Sequence, residues 1–307
     1  MDVQRRPAAP RPARVAVVTD STASLPAGAA ERWGITVVPL EVALGDARYR
    51  EGVDLPATDL VAALTAGTPV TTSQPSPVAF AEAYARAAEH GAPEIVSVHL
   101  SGELSGTVRG ATLAARTAPV PVHVVDCGSV AMGLGFAAIA AARAAQSDGD
   151  AAGPVRAPDG AAVAEHVAEV AASTSVLFLV DSLEHLRRGG RVGAAAAAVG
   201  TVLGMRPLLT VRGGRIEVAG KVRTHRAARE RLVEWAVSEV GRRAAATVAV
   251  HHLGRPDLGG DLADALGARL AQAGTAGGAA GVVVSEVSAV VGAHAGPGML
   301  GVVVAGR

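Results

Sequence analysis

Apolar residues in the first half of the chain alternate between two patterns. Short runs rich in valine and isoleucine read as strands at Val15–Thr19, Ile35–Leu44, Glu94–Leu100 and Val122–Val125. Between them, apolar positions recurring every three or four residues predict helices at Pro56–Ala66, Val78–His90, Ser105–Ala118 and Ser129–Ala145, and Pro26 marks a further helix start. Such repetition predicts an α/β fold whose N-terminal part is a parallel sheet with flanking helices. Ligands of these sheets bind beyond the carboxyl ends of the strands.

The second half is less regular. Ser147–Gly160 is polar and rich in Gly, Pro and Asp, which predicts a domain boundary there. The expected layout is a disordered Pro- and Arg-rich tail over 1–14, an α/β domain over 15–160 and a smaller α+β domain over 161–307. In that last part strands are expected at Val176–Val180, Ala245–His251, Val282–Val290 and Met299–Val304. Helices are expected at Leu183–Arg188, Gly193–Leu203, His225–Val240 and Asp257–Ala273. Arg206–Arg212 and Arg215–Val222 flank Gly213-Gly214, a strong hairpin signal.

Composition narrows the picture. The chain has 307 residues, half of them hydrophobic but only 2% aromatic, so any core is built of Ala, Val, Leu and Gly. A positive mean hydropathy fits either a large core or an internal apolar cavity. Net charge is zero, which removes the electrostatic case for nucleic acid or an anionic membrane surface, and membrane association is not indicated. The apolar runs fall short of the roughly 20 residues that span a bilayer. Cys127 is the single cysteine; this excludes intramolecular disulfides and thiolate metal clusters and fits a cytoplasmic setting.

Candidate chemistry gathers in a few places. Thr71-Thr72-Ser73-Gln74-Pro75 and Ser101-Gly102-Glu103-Leu104-Ser105-Gly106-Thr107 are hydroxyl-rich loops, the second opening a helix. Such loops donate hydrogen bonds to an anion; they serve equally as turns and as helix caps through Ser105 or Ser101. His294 lies in the glycine-rich stretch Gly292–Gly298, read as a loop between two strands, where it is either a ligand contact or a core residue. His251-His252 ends a strand and is expected to alternate between burial and exposure, with no spacing that calls for a metal. Arg187-Arg188-Gly189-Gly190-Arg191 is a basic turn, and Arg206, Lys221, Arg223 and Arg226 form a second basic series. No phosphate loop, dinucleotide fingerprint or GxSxG elbow occurs, and Cys127 has no evident activating base.

In combination these stretches resemble the DegV family. Val17-Val18-Thr19-Asp20-Ser21-Thr22 is similar to its opening strand and turn, Thr72-Ser73-Gln74-Pro75-Ser76 to its TSQPS loop, and Leu104-Ser105-Gly106-Thr107 to its LSGT motif. Leu186–Arg191, Gly200-Thr201, Arg206-Pro207 and Lys221-Val222-Arg223 resemble its central block, and His294-Ala295-Gly296-Pro297-Gly298 its HxGPG loop. The resemblance runs in family order from Val15 to Gly301. It implies a two-domain carrier that buries a long-chain fatty acid in an apolar tunnel. The carrier presents the carboxylate to a separate fatty acid kinase, which uses ATP to make acyl phosphate for phospholipid synthesis. It implies no cofactor, no metal and no catalytic residue in this chain. Carried over by motif, the carboxylate would meet Thr72, Ser73, Ser105, Gly106 and His294. Ser101 would join them, although this chain has Ser101-Gly102 where the family usually has two serines. Arg191, Arg206 and Arg223 carry over as basic positions, structural or facing the kinase.

Two other readings use the same residues. One is a serine-dependent lipid hydrolase or acyltransferase, with Ser105 or Ser101 as nucleophile and His294 as base. The other is an interaction module working through the Arg187–Arg191 and Arg223 surface.

Overall fold

The computed structural model describes residues 14–146, 159–192, 205–274 and 279–306. The tail through residue 13, most of the expected boundary segment and the alanine-rich helix expected at Gly193–Leu203 lie outside them. The first half holds a four-stranded parallel sheet in the order β2 (Ile35–Val38), β1 (Val15–Asp20), β6 (Glu94–His99), β7 (Val122–Asp126). Its strands are buried on both faces, so their side chains alternate between two cores. Val18 and Ile95 point toward α3 (Pro77–Glu89) and α4 (Thr107–Ala115), meeting Phe80, Tyr84 and Ala111. Val15, Val17, Val96 and Val98 point the other way, onto α5 (Met132–Gln146) and α6 (Gly160–Ala172). Although α6 follows the polar boundary segment, it packs on this first sheet and on α5.

The apolar run Ile35–Leu44, expected as one strand, is two. Pro39 has no N–H to give a ladder and interrupts it. β2 joins the parallel sheet, and β3 (Glu41–Leu44) turns into a separate antiparallel sheet, β4 (Ala47–Arg50), β3, β5 (Val70–Ser73). Thr72 and Ser73 therefore lie on a strand, not in a loop. Short helices α1 (Ala29–Trp33) and α2 (Ala57–Thr65) complete this part.

The second half is built on a mixed six-stranded sheet in the order β10, β9, β8, β13, β11, β12. These are β8 (Ser175–Leu179), β9 (Arg206–Arg212), β10 (Arg215–Val222), β11 (Ala246–His252), β12 (Ala279–Glu286) and β13 (Leu300–Gly306). Only β11 and β12 pair in parallel. The β9–β10 hairpin turns at Gly213 and Gly214, whose φ values of 54° and 77° suit a turn that needs positive φ at both positions. One face of the sheet is sealed by α8 (His225–Gly241) and α9 (Pro256–Gln272): Leu177, Val248, Val302 and Val304 pack on Leu232, Ala236, Leu262 and Leu266. The opposite face carries Val176, Phe178, Leu209, Ala249 and Val303. It packs on Leu40, Val42, Leu60, Met132 and Phe136 from the first half. The two halves thus share one core.

Two further elements sit at the junction: α7 (Glu184–Arg188) and α10 (Ala289–Ala295). The strand expected to run to Val290 stops at Glu286, because Ser288 caps a new helix by accepting the Val291 N–H at 3.3 Å. His294 is consequently in the last turn of a helix. Gly292 reads as a loop residue but is a packing residue. A Cβ there would press on Leu253 and Leu60, so its absence lets the helix lie close. Among the described residues no helix is long and apolar enough to cross a membrane.

Candidate functional site

Three segments distant in sequence meet at the junction of the halves. β5 supplies Thr72 and Ser73, the turn after β6 supplies Ser105, and α10 supplies His294. Thr72 Oγ1 and His294 Nε2 are 2.9 Å apart across a separation of 222 residues. Ser105 Oγ pairs with Thr107 Oγ1 at 2.8 Å and makes a long 3.4 Å contact with the Thr107 N–H. The N-cap position of α4 is Gly106, with no side-chain cap; Ser105, one residue earlier, accepts the N–H of the first helical residue instead, and Ser101 does not cap the helix. A Cβ on Gly106 would overlap Gln74 Oε1, so glycine there lets Gln74 pack across the start of α4 and join the two hydroxyl segments.

His294 is held from behind by Gly189, where a Cβ would overlap Nδ1. Burial lowers its pKa from the ordinary 6.5 to about 4, aided by the positive charge of Arg191 and by His185. The ring is therefore neutral near pH 7 and offers one donor and one acceptor.

These groups line one end of a cavity whose walls are otherwise apolar, including Leu40, Leu100, Val176, Phe178, Val290 and Val303. Thr72 and His294 are half-buried and Ser73 is exposed, whereas the apolar walls lie inside, so the polar end is the mouth. About 860 Å³ of non-atom space lies within it, mouth included. Two buried wall residues are polar but already engaged. Thr22 Oγ1 donates to Asp20 Oδ1 at 2.5 Å. His251 Nδ1 donates to Ser285 O at 3.0 Å and its Nε2 accepts the Met132 N–H at 3.1 Å, which fixes a neutral tautomer. Burial lowers the His251 pKa to about 4. His251 and His252 are both buried, not alternately exposed, because strand β11 is covered on both faces.

The remaining sequence candidates, Arg191 apart, fall elsewhere. Ser101 is buried with its hydroxyl donating to Gly214 O at 2.8 Å; it ties the LSGT turn to the β9–β10 hairpin and does not line the cavity. Arg191 lines the mouth, and its Nε donates to Leu104 O at 3.1 Å, bracing the same turn. Arg206 pairs with Asp181, and Arg223 is exposed beyond the hairpin. Among the described residues no three His, Cys, Asp or Glu side chains gather as a metal site. Sequence reasoning missed Thr22, Gln74 and His251 as wall residues. Thr22 and Gln74 stand inside quoted motifs but carry no chemical signal of their own.

The geometry defines a class: a two-part α/β protein with an apolar cavity between its halves and a small hydrogen-bonding mouth of hydroxyls and a neutral imidazole, bordered by Arg191. The chain belongs to the DegV family, whose sequence model, described as uncharacterised protein, DegV family, matches residues 14–307. A DegV domain-containing protein of Streptomyces coelicolor is 52% identical over 293 residues, covering 95% of this chain and 99% of the relative. A fatty-acid-binding DegV family protein of known structure from Thermus thermophilus is 34% identical with a TM-score of 0.82, over 95% of this chain and 99% of its own. DegV of Bacillus subtilis, a fatty acid binding protein, is 27% identical with a TM-score of 0.83, over 96% and 99%.

Proposed function

We propose that this protein is a cytoplasmic carrier that buries the tail of a long-chain fatty acid in the junction cavity. Its carboxyl group is held at Thr72, Ser73, Ser105 and His294 for phosphorylation by a separate fatty acid kinase. The observation that carries the reading is the Thr72–His294 contact at the mouth of an apolar passage. A tail of fourteen methylenes supplies about 11 kcal/mol of gross burial energy at ~0.8 kcal/mol each, before the costs of ordering it. The head group then needs only enough hydrogen bonds to avoid a desolvation penalty. Neutral hydroxyls and a neutral imidazole provide these without the tight ion pair that would oppose phosphoryl transfer. Ser101 belongs to the scaffold of this site, and Arg191 to its rim.

The hydrolase reading finds little support. His294 Nε2 faces Thr72, and the Ser105 hydroxyl pairs with Thr107, so the serine and histidine are not joined as nucleophile and base. A second serine–histidine–aspartate set does exist. Ser97 Oγ lies 2.7 Å from His99 Nε2, and His99 Nδ1 lies 3.0 Å from Asp20 Oδ2. All three are fully buried, and the Tyr84 hydroxyl occupies Ser97 at 2.8 Å. No substrate reaches that serine. Cys127 is buried with its thiol pushed up by desolvation, far from a reactive thiolate.

Native mass spectrometry of gently purified protein, followed by lipid extraction, tests the reading. One fatty acid per chain is expected, and protein that carries none and takes up none when offered oleate refutes it. With a kinase partner, Ser105→Ala should slow phosphorylation of the bound acid, and unchanged kinetics would remove Ser105 from the head-group site.

A further inference from the structure

Glu51 follows β4 in a stretch, Arg50-Glu51-Gly52-Val53-Asp54, that carries no motif, yet it is only 4% exposed. A carboxyl group so buried requires partners, and it has them on both halves of the molecule. Oε2 accepts the Ser21 hydroxyl at 2.5 Å, in the turn that follows β1. Oε1 accepts the Val290 N–H at 2.6 Å, across 239 residues, in the first turn of α10. Ser21 Oγ in turn accepts the Leu40 N–H at 2.9 Å, and the Glu51 N–H donates to Leu40 O at 2.8 Å.

What makes this contact more than a fold constraint is the helix it holds. Val290, Val291, His294 and Ala295 of α10 all line the cavity, as does Leu40 on the other side of the clasp. α10 is only seven residues long; besides the Thr72–His294 contact itself, its start is tied to the first half by the Ser288 N–H, which donates to Ser24 Oγ at 2.9 Å. A one-turn slip or a small rotation of so short a helix would carry His294 off Thr72. We infer that Glu51 is a positioning residue, tying the His294-bearing helix to the β1 turn and so setting the Thr72–His294 contact at the cavity mouth. Its importance for lipid retention rests on the fatty-acid reading above; its control of His294 does not.

The test uses the full chain, stripped of lipid, as Glu51→Ala, Glu51→Gln and Ser21→Ala. Gln keeps the volume and an acceptor for the Val290 N–H; Ala keeps neither. The first readout is the imidazole nitrogen resonances of His294 in ligand-free protein, assigned with His294→Gln and compared with Thr72→Val, which lacks the contact. The second is the dissociation rate of oleate. Glu51→Ala should move the His294 signals toward those of Thr72→Val and raise the oleate off-rate roughly tenfold. Glu51→Gln should restore most of both, and Ser21→Ala should fall between. Unmoved His294 signals in Glu51→Ala overturn the inference, as does an equal drop in melting temperature for Ala and Gln with no change at His294. If Glu51→Ala does not fold, the Gln and Ser21 variants decide by the same signals. Wild-type protein that takes up no oleate refutes fatty-acid binding, and the His294 resonances still judge the positioning role.

Discussion

His294 concentrates the chemistry of the site in one ring. With its pKa held near 4 instead of 6.5, the unfolded chain binds the proton more readily than the folded one. The associated stability is fully present above pH 6.5 and is lost as pH falls toward 4, by up to about 3 kcal/mol. His251 is shifted the same way, so the wild type alone does not isolate the effect. Urea unfolding of wild type and His294→Gln at pH 7 and pH 4.5 does: the wild type should lose more stability between the two. Equal losses would mean that the ring titrates normally. Thr72, Ser105 and His294 were legible in the sequence because hydroxyls and imidazoles are chemically conspicuous in an apolar chain and stood in recognisable motifs. Glu51 was not. A single carboxylate among Arg50, Asp54 and Asp59 reads as surface charge, and only a contact across 239 residues shows otherwise.

At the scale of elements, local signals succeeded where local physics decides. Gly213-Gly214 specified its hairpin, since two positive φ values admit little else. They failed where distant packing decides. Gly292 looked like loop and is the glycine that lets α10 lie against Leu253 and Leu60; Ala289 and Val290 looked like strand and are held helical by the Ser288 cap. The turn after α7 offers a clean perturbation. Gly189 has φ −73°, so alanine suits its backbone, but the new Cβ would strike His294 Nδ1. Gly189→Ala should leave the circular dichroism spectrum unchanged and weaken oleate binding by roughly tenfold, about one lost charge-free hydrogen bond with its strain. Wild-type affinity in this variant would show that the imidazole can move without cost. Gly190, at φ 69°, is the poorer target because its backbone alone resists substitution.

For the whole molecule, the two faces of the six-stranded sheet have separate duties. Leu232 belongs to the face sealed by α8 and α9, and Val303 to the face that walls the cavity. Leu232→Ala should cost about 2–5 kcal/mol of stability with oleate affinity unchanged. Val303→Phe should shift preference toward shorter acyl chains, read by competition between laurate and oleate. A change in acyl preference from Leu232→Ala, or none from Val303→Phe, would misplace the wall. The parallel sheet of this architecture was legible from periodicity and the hairpin from its glycine pair; the single core joining the halves was not, because periodicity says which side of a strand is buried but not against what.

That joint core has a further meaning. Leu40, Val176, Phe178 and Val303 are at once cavity walls and members of the cluster that fastens one half of the molecule to the other. An acyl tail bound as proposed would be cargo and mortar together. Its departure would thin the seam between the halves, so that release and loosening would become one event. A ligand at a hundred times its dissociation constant adds about 2.7 kcal/mol to the folded state, and here that increment falls on the joint itself. On that reading, loading would register in the stiffness of the molecule's own waist.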